Sequence, residues 1–364
     1  MCFIVFTNKT VRLYADIDLK DREWIPIGGN AGTSDGSSPT FRGDFDGCGH
    51  TISNLTITSG NYRVGLFGAV NGSIRNVGIT SGSIVGTDKV GGIAGSITGG
   101  NIISGCFNKA NLGAPKIAGG ITGMVDGSNN VIENCYNTGR VNSRNAANDG
   151  GIVGYFTGGA TNTVVRNCYS IGKDGSGIIG MVNANTSTVT MENCYALDSV
   201  PLAETPNALI VKNSSQLTAA EMRDSVATLG NAFSEDYMAQ NRLFPVLAWE
   251  NGDFVAELPM VNGVYQISTA EELRLLSYLV RNGQNFDNAQ VELMADIDLM
   301  GVEFLPIGGK DETSAYSFAG SFNGRGHVIK NLNVYEMENG YAGLFGFANG
   351  ARVENLGVES GIVI

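Results

Sequence analysis

Ile132 to Tyr136 reads IENCY, Val165 to Tyr169 reads VRNCY and Met191 to Tyr195 reads MENCY. A looser form of the same five residues starts at Ile52 (ISNLT), Ile74 (IRNVG), Ile103 (ISGCF), Ile329 (IKNLN) and Val353 (VENLG). The third positions Asn54, Asn76, Gly105, Asn134, Asn167 and Asn193 are spaced 22, 29, 29, 33 and 26 residues apart. Between them recurs a second unit, Gly-apolar-x-Gly, at Gly65, Gly92, Gly120, Gly151, Gly177 and Gly343. Short apolar strands punctuated by Gly and Asn at this spacing are the coils of a parallel β-solenoid. Residues 40–200 carry none of the 3.6-residue periodicity that a helical repeat requires.

The five columns read physically. The first is always Ile, Val or Met and faces inward; the second is Ser, Arg, Glu or Lys and faces water. The third is Asn or Gly, the residues that enter the left-handed region most cheaply, so it is a corner between two strands. Asn54, Asn76, Asn134, Asn167 and Asn193 are therefore expected to be structural, with side chains that can hydrogen-bond from coil to coil. The fourth column is Leu, Val or Cys and turns inward again. Cys106, Cys135, Cys168 and Cys194 are expected there as a buried ladder of free thiols. A zinc site is set aside, because four sulfurs in a line cannot make a tetrahedron. The fifth column accepts Thr, Gly and Asn as well as rings, which places it outside the core. Phe107, Tyr136, Tyr169 and Tyr195 then form an exposed aromatic stripe, the candidate ligand-binding surface for a sugar or a protein. The competing reading is that the rings stack on one another or lie beneath residues 200–250.

A longer repeat encloses the coils. VRLYADIDLKDREWIPIGG, Val11 to Gly29, returns as VELMADIDLMGVEFLPIGG at Val291 to Gly309, and FRGDFDGCGHTISNL at Phe41 returns as FAGSFNGRGHVIKNL at Phe318. The organisation expected is a first module over 1–250 with a closing segment at 201–250, a linker over 251–261, and the start of a second module over 262–364. Capping boxes at Thr218–Glu221 and Ser268–Glu271 predict two helical segments, the second an opening helix over 269–282. Nothing before Ala15 matches that helix, and the second copy lacks the Phe244–Leu247 closing strand. The chain is thus expected to be a piece of a longer tandem protein, with exposed ends that associate.

Composition agrees. Gly is 51 of 364 residues and Pro only 8, charged residues are 16% and apolar residues 43%. That excludes collagen, disorder and a coiled coil. Twenty-three basic against 35 acidic residues give a net charge of −12, which argues against nucleic acid and against an anionic membrane surface as partners. No apolar run has the length of a membrane span, so no membrane insertion is expected. The two histidines, His50 and His327, occupy the same repeat position and read as packing residues rather than catalytic ones. Asp16 and Asp18, repeated as Asp296 and Asp298, have the i, i+2 spacing of a carboxylate pair on one strand face, which a solvated strand also gives. No metal site and no cofactor are expected.

The Gly-Leu-x-Gly rungs, the FDG-x-GH-x-I-x-NL segment and the ADIDL…W-x-PIG lead-in resemble bacterial surface proteins carrying the GLUG motif. The resemblance covers nearly all of the chain after residue 10. It implies a right-handed parallel β-helix, secreted or on the cell surface, in an adhesin-like and non-catalytic setting with a host or bacterial surface glycan or protein as partner. A polysaccharide lyase or hydrolase on the same architecture and a passive spacer are the alternatives.

Overall fold

The computed structural model describes residues 6–29, 39–58, 62–114, 116–143, 148–172, 177–183, 185, 188–197, 201–203, 209–236, 240–241, 244–251, 257–299, 304–310, 315–334 and 340–363. Parallel sheets stack into an all-β solenoid of about nine turns. The chain divides into two compact units, Met1–Phe233 with Leu247–Glu250, and Ser234–Val246 with Asn251–Ile364.

In the first unit each full coil passes through four strand positions. In the IENCY coil these are Val131–Asn137, Val141–Ser143, Asp149–Gly150 and Val153–Phe156. Each pairs in parallel with the same position of the neighbouring coils, giving sheets of eleven, four, four and five strands. The register aligns Cys135, Cys168 and Cys194, and Tyr136, Tyr169 and Tyr195. The core is what the first and fourth columns dictate: Ile132, Val165 and Met191 are buried, and so are Cys106, Cys135, Cys168 and Cys194, all four as free thiols.

The corners adopt the backbone that selects Asn. Asn134, Asn167 and Asn193 have φ of 52°, 50° and 50°. Asn193 Nδ2 donates to Asn167 Oδ1 and Asn167 Nδ2 to Asn134 Oδ1, both at 3.1 Å. Asn54 is the exception to the expected column. Strand Asp44–Ser53 carries a register shift between Asp46 and His50, where Cys48 and Gly49 both have positive φ. The shift moves the NL motif one corner onward, so Leu55 pairs with Gly82 and Asn54 takes Ser81 Oγ as its partner. Asp46, in register with Arg75, supplies the acceptor for Asn76 instead, taking a bond from Asn76 Nδ2 at 3.4 Å. The second unit repeats this: Asn355 Nδ2 donates to Asn323 Oδ1 at 3.1 Å, while Asn331 faces Ser360.

At Gly92 and Gly120 the Gly-apolar-x-Gly rungs need glycine for close approach rather than for turning. A Cβ on Gly92 would lie 2.5 Å from the Gly120 carbonyl oxygen, and one on Gly120 would strike the Gly151 carbonyl. These glycines also make room for a second, fully buried polar ladder: Asn108 Nδ2 donates to Asn137 Oδ1 at 2.8 Å, and each amide also donates to a backbone carbonyl two residues on. That satisfies groups whose burial would otherwise be costly.

Helices close the first unit. The Thr218–Glu221 box caps Ala219–Arg223, and a second turn, Val226–Leu229, ends at Gly230 with φ 90°. Met222 and Leu229 are buried, while Val226 is only half-buried.

The second unit has parallel sheets of its own, ordered Val264–Ile267, Gln290–Leu293, Ser321–Asn323, Arg352–Glu354 and, alongside, Ile297–Asp298, Val328–Val334, Gly357–Val363. Its helix spans Ala270–Arg281 and buries Leu273, Leu276 and Val280. The capping box is Thr269–Glu272, one residue later than expected, and Ser268 N–H also donates to Glu272. Two module boundaries differ from the sequence reading. Ser234–Val246 belongs with the second unit, where Glu235 accepts from the Tyr278 hydroxyl at 2.6 Å and Ser234 bonds Asn251. The expected linker 251–261 is partly strand: Met260–Val261 forms an antiparallel hairpin with Val264–Ile267 across Asn262 and Gly263, both at positive φ, the turn that an Asn-Gly pair favours. Residues 252–256 of that stretch lie outside the described residues.

Candidate functional site

The aromatic column is not an exposed stripe. Phe107, Tyr136, Tyr169 and Tyr195 are 1%, 0%, 0% and 8% exposed. Parallel pairing brings the rings into register, and Phe107–Tyr136 and Tyr136–Tyr169 stack at centroid distances of 5.0 and 5.1 Å, within 11° and 7° of parallel. The chain's own closing segment covers them. The Trp249 indole stacks on Phe107 at 5.7 Å and donates to the Gly105 carbonyl at 3.2 Å. Phe233 leans on Tyr169. Tyr136 donates its hydroxyl to Glu250 Oε2 at 2.9 Å, and Glu250 Oε1 accepts the Leu247 N–H at 2.7 Å. Lys109 Nζ lies 3.9 Å from the same carboxylate and 4.8 Å from the Phe107 ring centroid.

The variety of residues in this column does not mark an outer face. Thr56 and Asn333 follow Asn54 and Asn331 around a different corner, so they belong to other columns. Gly78, which is in the column, is a socket: a Cβ there would strike the Phe107 ring. Large rings also bury apolar area that leaves a strong incentive for cover. The second half of the expectation, cover by residues 200–250, is what the structure has.

Asp16 and Asp18 are drawn into coil-to-coil bonds. Asp16 Oδ1 accepts the Thr51 N–H at 2.7 Å and faces His50 Nδ1 at 3.3 Å. Asp18 Oδ1 accepts from Asn54 Nδ2 and from its own turn at Lys20 N, both at 2.8 Å, and the Asn54 bond above all holds its carboxyl below the usual aspartate range. The second module repeats the arrangement: Asp296 accepts from Val328 N–H at 3.1 Å and faces His327 Nδ1 at 3.2 Å, and Asp298 accepts from Asn331 Nδ2 at 2.7 Å. The Val328 N–H, then His327, lowers the Asp296 carboxyl. At Asp46 partial burial pushes the carboxyl up, but the Cys48 N–H and the Arg75 guanidinium outweigh it and the net shift is down. Each of these carboxylates accepts bonds that clip two coils together. Among the described residues no group of three or more His, Cys, Asp or Glu is placed to hold a metal ion.

One cluster escaped the sequence reading. Asp88 and Lys89 are both buried, paired at 2.9 Å, and Lys89 Nζ sits 4.0 Å over the Tyr62 ring. The available signal was the adjacent Asp-Lys pair at the head of an otherwise neutral rung. On the outer face of the largest sheet, Glu133, Arg166, Glu192 and Lys212 fall in one register row of alternating charge, with Arg166 bonded to Glu133 at 2.7 Å.

No family model matches the chain. A segment is similar to halomucin of Haloquadratum walsbyi (strain DSM 16790 / HBSQ001), 40% identical over 103 residues, which is 25% of this chain and 1% of that protein. The chain therefore spans only a very small part of the curated relative it matches. Among solved structures it is similar to a Bacteroides ovatus chain provisionally named an immunoglobulin A1 protease, with a TM-score of 0.44 and 23% identity over 68% of this chain and 87% of that one. No helix among the described residues is long and apolar enough to cross a membrane.

Proposed function

We propose that this chain is an adhesin-like module of a secreted or cell-surface protein of the GLUG-repeat kind, which binds a surface glycan or protein and does no chemistry on it. The observation that carries this reading is the twofold use of one constellation. Asp16 with His50 and Asp296 with His327 have the same geometry in both modules, and each aspartate is spent on a backbone N–H of the next coil. Residues held this way serve stacking rather than proton transfer to a substrate. The similarity of a quarter of the chain to a protein named halomucin supports a surface or secreted setting. The aromatic column is already occupied, so recognition falls to the solvated faces, of which the alternating row Glu133, Arg166, Glu192 and Lys212 is the most organised.

The test is retention of the purified chain on a glycan array and on immobilised mucin, with the released fraction assayed for new reducing ends and unsaturated sugars. Saturable retention without product is expected. Product release would move the protein to the polysaccharide-degrading class, and neither signal would leave it a spacer.

A further inference from the structure

Cys106, Cys135, Cys168 and Cys194 stand on four successive coils, and the register sets Cys135 on Cys168 and Cys168 on Cys194. Cys106 joins them between Ile103, which pairs with Ile132, and Phe107, which pairs with Tyr136. All four are fully buried free thiols. They also share one orientation. Each Sγ lies 3.1–3.3 Å from the carbonyl oxygen two residues back on its own strand, at Ser104, Glu133, Arg166 and Glu192. Each lies 3.5–4.0 Å from the first-column carbonyl oxygen of the coil before, at Ile74, Ile103, Ile132 and Val165. Thiols held alike on parallel strands are separated by the strand spacing, about 4.7–4.9 Å. The Cβ atoms share that spacing, which is wider than the mean of about 3.8 Å in a disulfide. The midpoint between two such sulfurs, however, lies about 2.4 Å from each, close to the roughly 2.3 Å of a metal–thiolate bond.

Four sulfurs in a line exclude the tetrahedron that zinc requires, but they suit an ion that takes two ligands in line. Closed-shell monovalent cations of the soft metals, copper(I) and silver(I), bind thiolates in that way. We infer that the thiol ladder is a site for such cations, one in each gap between neighbouring coils and each held by two sulfurs. Because each ion uses two sulfurs, no group of three ligands around one point is needed, and the described residues hold none. Three gaps take three ions. Four protons leave as the three ions enter, so the filled ladder carries one negative charge spread over four sulfurs. Backbone N–H groups face those sulfurs, from Val77 and Asn76 at Cys106 and from Cys106 at Cys135. They are donors suited to a ladder of that charge. The sulfurs are fully covered in the folded chain, so the ions enter before the coils close.

The full chain carrying Cys2→Ser and Cys48→Ser, refolded from urea with excess silver(I) and then desalted, should retain three silver ions by native mass spectrometry. Its circular dichroism should match that of the metal-free chain, and X-ray absorption should show two sulfur neighbours for each ion. The decisive series counts gaps rather than thiols. Cys106→Val should retain two ions and Cys135→Val one. Cys135→Val combined with Cys168→Val should retain none, although Cys106 and Cys194 remain. Valine is the substitute because Val77 fills the same place one coil earlier. Zinc(II) should wash out of every variant. Should the chain not refold, silver(I) is added to the native chain in urea just below its unfolding transition, where local opening admits it. Equal counts for Cys106→Val and Cys135→Val would overturn the inference. So would a parent chain that retains no silver, or one that retains it only with loss of the metal-free circular dichroism.

Discussion

Replacing Tyr136 by Phe removes one hydroxyl and nothing else from the contact that seals the aromatic column. Its partner, Glu250, has a side chain only 3% exposed and holds the Tyr136 O–H, the Leu247 N–H and, at 3.9 Å, the Lys109 ammonium. Without the hydroxyl a buried carboxylate is one donor short. A hydrogen bond to a charged group contributes about 1.5–3 kcal/mol net, and Lys109 remains to share the charge, so the expected loss is about 2 kcal/mol. For a unit of this size that corresponds to a fall of about 4–8 °C in Tm. Both tryptophans, Trp24 and Trp249, lie in the first unit, so urea unfolding followed by tryptophan fluorescence reports that unit alone. The same variant placed on a Glu250→Ala background should cost less than about 0.5 kcal/mol, because the acceptor is already gone. If Tyr136→Phe leaves the urea midpoint unmoved, or if the two substitutions add in full, the closing segment is not held by this bond and the account of the buried column is wrong.

Other outcomes follow from the same geometry. A bulky maleimide applied to the native protein should label Cys48, which is exposed, and spare Cys106, Cys135, Cys168 and Cys194, as read by peptide mass mapping; burial also holds the Cys106 and Cys168 thiols well above their ordinary pKa. Cys135→Val should change stability little, whereas Cys135→Asp should cost several kcal/mol in a urea titration by burying a charge among apolar neighbours. Gly120→Ala sets a Cβ against the Gly151 carbonyl, a backbone atom that cannot swing aside, and should cost about 1–3 kcal/mol or more by the same titration. Asp18 has a lowered folded pKa, so its stabilising contribution is present above the ordinary aspartate pKa of about 4 and is lost as pH falls through the lower folded value. Urea midpoints of the parent chain should therefore hold from pH 7 to about 4 and drop below it, and Asp18→Asn should show a shallower acid limb.

The solenoid was legible because its signal is written many times: an inward apolar residue, a left-handed corner and a second inward residue recur in IENCY, VRNCY and MENCY, and each occurrence constrains the others. Asn134, Asn167 and Asn193 turn as their identity requires, and the cysteines fill the place that Val77 fills one coil earlier. The errors arose where spacing departs from the repeat. The Gly47–Gly49 insertion moved Asn54 around a corner, and a linear alignment cannot show a register shift inside a strand. The burial of the aromatic column is hidden for a related reason: Gly78 looks like tolerance in a list of residues and is a socket in three dimensions. That Trp249 and Glu250 are what seals Phe107 and Tyr136, across more than a hundred residues of chain, is tertiary information that no local pattern holds. The buried Asn108–Asn137 ladder was likewise hidden, since Asn in a β-rich sequence reads first as a turn residue.

The corner asparagines give each coil a direction. An amide there donates toward the coil before it and accepts from the coil after it, while Asp18 and Asp46, at the foot of their columns, accept and have nothing to give backward. A coil bearing Asn at the corner can therefore be copied whole onto another such coil, with its donor facing an acceptor, as Asn193 on Asn167 and Asn167 on Asn134 show. Length in such a protein can change by duplication of single Asn-bearing coils with no new chemistry to invent, whereas a coil with Asp at that place receives a bond from the next coil and returns none.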